Sequence, residues 1–203
     1  MSTLTSSRPT LAVDVDDVIY PLVPILVKYY RQYHDADSVL TPAHFFSYNF
    51  CEVWGGSVER AIDIVRGFFG SEMALSAQPI YGVLEALAIL QEYYKLVIVT
   101  ARQREFTDMT TAWLDCHFPR VFAGYYFGNH YALEGNPLAK SELCRQAGAR
   151  IIIDDQPRHV LDCQNAGITS ILFGQYPWQD ANHIPEGILR AADWPAVLAL
   201  LSP

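Results

Sequence analysis

Cations are scarce in this chain: 14 Lys and Arg stand against 22 Asp and Glu, for a net charge of −8. A surface that lies along a nucleic-acid backbone carries an excess of positive charge, so no nucleic-acid polymer is expected as a partner. Cysteine is scarce too. Cys51, Cys116, Cys144 and Cys163 include no Cys-x-x-Cys pair, which argues against a zinc knuckle and suits packing thiols in a reducing compartment. No apolar stretch is long enough to cross a bilayer, so no membrane partner is expected either. Residues 1–9 are rich in Ser and Thr and hold no apolar run; they read as a loose tail, not a secretory leader. These absences lead to the expectation of a cytoplasmic protein. There is no internal repeat, and no Gly-x-Gly-x-x-Gly follows the first apolar run, which disfavours a dinucleotide-dependent dehydrogenase. Nothing in the sequence sets the number of subunits.

What is present is apolar residue in quantity, 51% of 203 residues, enough to pack one sizeable domain with a small insert. Short β-rich runs recur: Leu11 to Val13, Leu96 to Val99, a weaker one at Tyr125 to Phe127, Ile151 to Ile153, and Ser170 to Phe173. Runs without polar alternation suit parallel strands covered on both faces. Helical patterns fill the gaps at 83–94, 105–117, 138–147 and 158–166, with a final helix near 194–201. The order predicts an α/β protein with a Rossmann-like, doubly wound parallel sheet. One interval, 15–82, is far longer than a crossover needs. Residues 22–77 are read from it as a mostly helical cap inserted after the first strand, over a core of residues 10–21 and 78–203. A helix over 57–69 falls in that cap, together with residues 28–34 and an aromatic stretch over 45–54.

Acidic residues stand where strands end: Asp14 and Asp16 after the first run, Asp154 and Asp155 after the fourth. Ligands of an open parallel sheet bind beyond its carboxyl ends, where strand order reverses. If the first and fourth strands are neighbours, Asp14, Asp16 and Asp154 converge there. Crowded carboxylates repel, and a hard dication such as Mg²⁺ resolves the repulsion with oxygen ligands. Thr100 ends Val-Ile-Val-Thr, where its hydroxyl and nearby backbone N–H groups suit a phosphoryl oxygen. Lys140, at a helix start, supplies a point charge for the same group. Asp155 either orients Asp154 or shapes its loop. Asn49 and His130 are read as structural hydrogen-bonding residues.

Asp14-Val15-Asp16-Asp17-Val18, then Thr100 after an apolar strand, then Lys140, then Asp154-Asp155 make four motifs in register. With them the chain resembles the haloacid dehalogenase-like superfamily over residues 10–174. The resemblance implies that Asp14 is a nucleophile forming an aspartyl-phosphate. It implies that Asp16 is the acid and then the base, and that Asp14, Asp154 and the Asp16 carbonyl surround Mg²⁺. Thr100, Ala101 and Lys140 would bind the phosphoryl group. Asp16 also speaks against carbon–halogen cleavage, since the dehalogenases lack that acid. Among subfamilies the chain looks most like the 5′(3′)-deoxyribonucleotidases, which bind the base against cap aromatics. That implies a small phosphorylated substrate, a nucleoside monophosphate foremost, with Phe45, Tyr48, Trp54 and Arg102 as candidate contacts. Ser47 to Phe50 and Glu52 to Gly55 also resemble a group of proteins of this superfamily whose substrate is not defined. A sugar-phosphate or phosphoprotein phosphatase, and a non-catalytic binding module on the same fold, are the alternatives.

Overall fold

The apolar runs become parallel strands because each can bury both of its faces. The structure, a computed structural model, describes residues 8–130, 135–179 and 187–202; residues 1–7, most of the expected tail, and Pro185 lie outside them. The strands are β1 (Thr10–Val13), β2 (Lys95–Thr100), β3 (Tyr125–Phe127), β4 (Ala149–Asp154), β5 (Thr169–Phe173) and β6 (Leu189–Ala191). They form one sheet in the order β3-β2-β1-β4-β5-β6, and every pair is parallel. The order reverses between β1 and β4, as a doubly wound sheet requires. β6 is an addition to the expected set. It is three residues long at the sheet edge, and Leu189 and Arg190 are exposed, so it carries no apolar run.

Successive strand residues face opposite sides, and the packing follows that alternation. Leu11, Val13, Ile98, Ile153 and Ile171 share one cluster with Leu87, Leu90, Trp113, Leu114 and Trp194. These come from α5 (Val83–Tyr93), α6 (Thr107–His117) and α9 (Trp194–Leu201). Ala12, Val97, Val99 and Ile152 pack instead with Leu143, Cys144 and Cys163, from α7 (Lys140–Ala147) and α8 (Pro157–Asn165). Helices thus cover both faces. None among the described residues is long and apolar enough to cross a membrane.

Between β1 and α5 run α1 (Leu22–Tyr33), α2 (Cys51–Trp54), α3 (Val58–Phe69) and α4 (Glu72–Leu75). Residues 28–34 of the long interval fall largely within α1. Pro24 is tolerated because it lies in the first turn, where N–H groups lack intrahelical acceptors. Asp17 supplies the cap that Pro21 cannot: its carboxylate accepts the Val23 N–H at 3.2 and 3.3 Å. Ser57 caps α3 through the Arg60 N–H at 3.2 Å. Val23, Leu26, Phe45, Ile64 and Phe68 of the inserted segment belong to the same apolar cluster as Leu11 and Val13 of the sheet.

Candidate active site

The pairing of Val13 with Ile153 brings the acids that follow β1 and end β4 side by side at the carboxyl edge of the sheet. Asp14 donates its N–H to the Ile153 carbonyl at 3.0 Å. Lys140 opens α7 and reaches between the two acids. Its Nζ lies 2.7 Å from Asp14 Oδ2 and 2.5 Å from Asp154 Oδ2, and the residue is 1% exposed. Asp154 Oδ1 accepts the Gln156 N–H at 2.9 Å. One oxygen is left over: Asp14 Oδ1 is buried and has no hydrogen-bond partner among the described residues. Oxygens of Asp14, Asp154 and Asp155 lie within 4.8 Å of one another. A buried, all-oxygen donor set with an orphaned carboxylate oxygen suits a hard dication of the Mg²⁺ kind.

The charges in this cluster are strongly coupled. Burial, with Asp154 and Asp16 nearby, pushes Asp14 up to about 7 against the pull of Lys140. Burial also works to raise Asp154, but Lys140 and His159 outweigh it and hold that carboxyl well below the usual range. Burial would lower Lys140; Asp14 and Asp154 reverse this and hold the ammonium above its ordinary value. Burial raises Asp17 to about 8 and lifts Asp155 well above the carboxylate range, with Asp154 adding to it. His159, buried beside Lys140, is lowered to about 4 and is neutral near pH 7. Its Nδ1 is 3.5 Å from Asp154 Oδ1, too far for a firm hydrogen bond.

Asp16 is engaged by a different cation from the Lys140 pair. Arg102 grips it with Nε at 3.0 Å from Oδ2 and Nη2 at 2.6 Å from Oδ1. Arg102, read from sequence as a possible substrate contact, is therefore engaged with a protein carboxylate. Thr100 is completely buried, and its Oγ1 accepts the Arg102 N–H at 3.3 Å. Ala101 lines the pocket beside Asp14 and Asp16. The far wall of that pocket is α3, through Val58, Ala61, Ile62, Val65 and Phe69, with Phe106 beside it.

The rings of Phe45, Tyr48, Phe50 and Trp54 pack on one another, but Phe45 and Trp54 turn away from the pocket. Phe45 is fully buried and packs its ring on Phe50 and Trp54. Trp54 stacks on Tyr30, 4.9 Å between centroids and 2° between planes. Both are spent on the packing of the insert because their neighbours are other rings, and neither lines the pocket. Tyr48 does line it. Its hydroxyl donates to Asp17 Oδ2 at 2.7 Å and lies 3.1 Å from Asp155 Oδ2.

A buried network that sequence reasoning missed surrounds that hydroxyl. Asp17 adopts a left-handed φ of 52°, and its carbonyl accepts the Tyr176 hydroxyl at 2.6 Å. Trp178 Nε1 donates to Asp155 Oδ2 at 2.8 Å, and Gln179 Nε2 donates to the Asp155 carbonyl at 2.7 Å. Gly174 has a φ of +82°, and a Cβ there would collide with the Tyr176 ring, so glycine is needed for the loop to lay Tyr176 across the site. His130 accompanies His159 in the pocket wall and its Nε2 lies 2.8 Å from the Leu138 carbonyl, in keeping with a structural role. The end of α3 and the residues after β2 also meet at the pocket rim. Arg66 pairs with Glu105 at 3.0 Å, and Phe69 packs on Phe106 with centroids 4.7 Å apart.

Solved structures share this architecture at low sequence identity. A haloacid dehalogenase-like hydrolase from Streptococcus pneumoniae has a TM-score of 0.67 and 17% identity, covering 95% of this chain and 98% of its own. A HAD-superfamily hydrolase of subfamily IA from Geobacter sulfurreducens gives 0.63 and 14%, with 100% of both chains covered. A HAD hydrolase from Bacillus subtilis, in a structure bound to magnesium, gives 0.62 and 16%, covering 97% of this chain and 100% of its own. These likenesses show the fold. Among curated proteins no sequence matches the chain. The family model described as 5′ nucleotidase, deoxy (pyrimidine), cytosolic type C protein matches residues 8–202. That span takes in all four acidic, Thr and Lys motifs as well as the inserted helices, and the chain belongs to this family of HAD-fold phosphoric monoester hydrolases.

Proposed function

We propose that the protein is a Mg²⁺-dependent 5′-nucleotidase that works through an aspartyl-phosphate on Asp14, with a pyrimidine deoxyribonucleoside 5′-monophosphate as its leading substrate. The observation that carries the reading is the state of Asp14: one oxygen fixed by Lys140 at 2.7 Å, the other buried and unpartnered. An oxygen of Asp14 attacks phosphorus, the ester P–O bond breaks, and the leaving oxygen takes a proton from Asp16. Asp16 then takes a proton from a water that attacks the same phosphorus, which releases inorganic phosphate and restores Asp14. Thr100, Ala101 and Lys140 hold the phosphoryl oxygens during both steps. Asp14, Asp154 and the Asp16 carbonyl, with Asp155 alongside, would hold the metal, which would supply charge to offset that of the phosphoryl group. Residues 22–77 act as a cap over the core of 10–21 and 78–203. The nucleoside lies against α3 and the rings of Phe69 and Phe106, with Tyr48 at the inner end; Phe45 and Trp54 have no part in it.

The test is phosphate release from a panel of ribo- and deoxyribonucleotides, sugar phosphates and an aryl phosphate, with Mg²⁺ or EDTA. Turnover that needs Mg²⁺ and favours pyrimidine deoxynucleotides is expected. A preference for sugar phosphates would overturn the substrate, and full activity in EDTA would overturn the metal.

Stability should report the same site. Without metal, Asp14 keeps its proton to about 7 and Asp17 to about 8, whereas an unfolded carboxyl loses it near about 4. Between these limits the fold binds more protons than the unfolded chain. Stability conferred by these two groups is therefore complete at acid pH and is lost as pH rises toward about 8. Mg²⁺ binds the deprotonated carboxylates, so its stabilisation grows over that window. We expect Tm in EDTA to fall between about pH 5 and about pH 8, and the Tm gain from Mg²⁺ to be larger at the higher pH. A gain that is equal at both values would contradict the assignment of Asp14 as a ligand.

A further inference from the structure

The inserted segment and the acid Asp16 meet at one buried cation. Arg102 is 3% exposed, and each of its three guanidinium nitrogens is engaged. Nε and Nη2 hold Asp16 at 3.0 and 2.6 Å, and Nη1 donates to Thr110 Oγ1 at 2.9 Å. Its Cζ also lies 4.6 Å from the ring centroids of both Tyr20 and Phe69. Phe69 is the last residue of α3, within the insert. Tyr20 follows β1, and its hydroxyl donates to the Ala74 carbonyl of α4 at 2.9 Å. The guanidinium thus meets Asp16 along one edge and, over its plane, rings that belong to the insert or are tied to it.

We infer that Arg102 is a positioning residue that fixes the carboxyl group of Asp16 for proton transfer to the leaving oxygen, and that it does so while α3 keeps Phe69 against it. The inference rests on the role of Asp16 proposed above and adds a route by which the insert reaches the chemistry. A two-point fork sets both the place and the tilt of a carboxyl group, which a single ammonium cannot do. Rings over the guanidinium add attraction and close off the swing by which Arg102 could leave Asp16. A direct phosphate contact is the competing role. Arg102 lines the pocket, and its guanidinium carries five N–H donors, of which the bonds to Asp16 and Thr110 use three, so experiment must separate the two roles.

The two roles separate by leaving group. A nucleoside 5′-monophosphate expels an alkoxide that needs a proton, whereas an aryl phosphate with an acidic phenol does not. The value of kcat/KM reports the step in which that bond breaks. For Arg102→Lys we expect kcat/KM on the nucleotide to fall about 10²–10³-fold, on the scale of general acid catalysis, and on the aryl phosphate by less than about tenfold. Inhibition by inorganic phosphate should stay as in wild type. Thr110→Val, which removes the acceptor at Nη1 outside the pocket lining, should show the same selectivity with a smaller loss, and it carries the test alone if Arg102→Lys fails to fold. The double variant Arg102→Lys/Asp16→Asn should be no slower on the nucleotide than Asp16→Asn. Equal losses on both substrates, or weakened inhibition by phosphate, would overturn the inference and make Arg102 a phosphate ligand. A wild type inert on both substrates would overturn the phosphatase mechanism itself, an outcome distinct from uniform losses in an active enzyme.

Discussion

Asp14→Asn is expected to abolish turnover, with kcat lowered by about 10⁴-fold or more, the scale seen when a residue that acts as one part of a catalytic unit is removed. The exchange keeps shape and removes both nucleophilic oxygen and charge. It should not unfold the protein. Asp14 is 4% exposed, and burial, with Asp154 and Asp16, pushes its carboxyl toward the protonated form against the pull of Lys140, so a neutral amide suits the metal-free site. Lys140 keeps Asp154 at 2.5 Å. The metal-free melting temperature should therefore hold or rise while the Tm gain from Mg²⁺ shrinks. Acid quenching during turnover, followed by mass measurement, should find a phosphoryl group on wild type and none on the variant. Activity within about tenfold of wild type would remove Asp14 from the chemistry.

Lys140→Met should be the most damaging single change to metal-free stability, at about 3–5 kcal/mol, because it leaves buried carboxylates uncompensated. Met keeps the length of the apolar stem but brings no charge to Asp14 and Asp154, which stand 2.7 and 2.5 Å from the ammonium in wild type. Urea titration in EDTA at about pH 8 measures the loss. At acid pH the variant can protonate its acids, so the loss should shrink there. Mg²⁺ should restore part of it, since the cation takes over the neutralisation. Lys140→Met/Asp154→Asn should be less destabilised than Lys140→Met, because one of the stranded charges is gone. A loss under about 1 kcal/mol in EDTA would mean that water, not Lys140, carries the charge balance.

The sheet was legible because five of its strands are apolar runs of the right length, each ended by a turn or a polar residue. β6 was not legible, since Leu189-Arg190-Ala191 is short and lies exposed at an edge; only its pairing to β5 makes it a strand. The acids were legible as strand-end residues, and the pairing of β1 with β4 brings Asp14 and Asp154 together. The helical content of the segment between β1 and α5 was legible, but the orientation of its rings was not. An aromatic stretch does not say which ring turns inward, and Phe45 and Trp54 turned to their neighbours. The pocket wall on α3, with apolar side chains at 58, 61, 62, 65 and 69, has the spacing of any amphipathic helix. Asp17 and Asp155 owe their surroundings to Tyr48, Tyr176 and Trp178, which lie as far as 159 positions away in the chain. No local pattern encodes such partners.

The inserted helices and the sheet share one apolar cluster, from Phe45, Ile64 and Phe68 through to Leu11, Ile153 and Phe173. This bears on how the family can be recombined. A segment that met the sheet through a polar seam could be exchanged with little effect on core packing. Here the seam would run through side chains that touch across it, so a graft of residues 22–77 from another member would import mismatched volumes into the centre of the protein, each costing up to a few kcal/mol. New substrate preferences are then more accessible by single changes on the pocket face of α3 than by transplanting the segment whole.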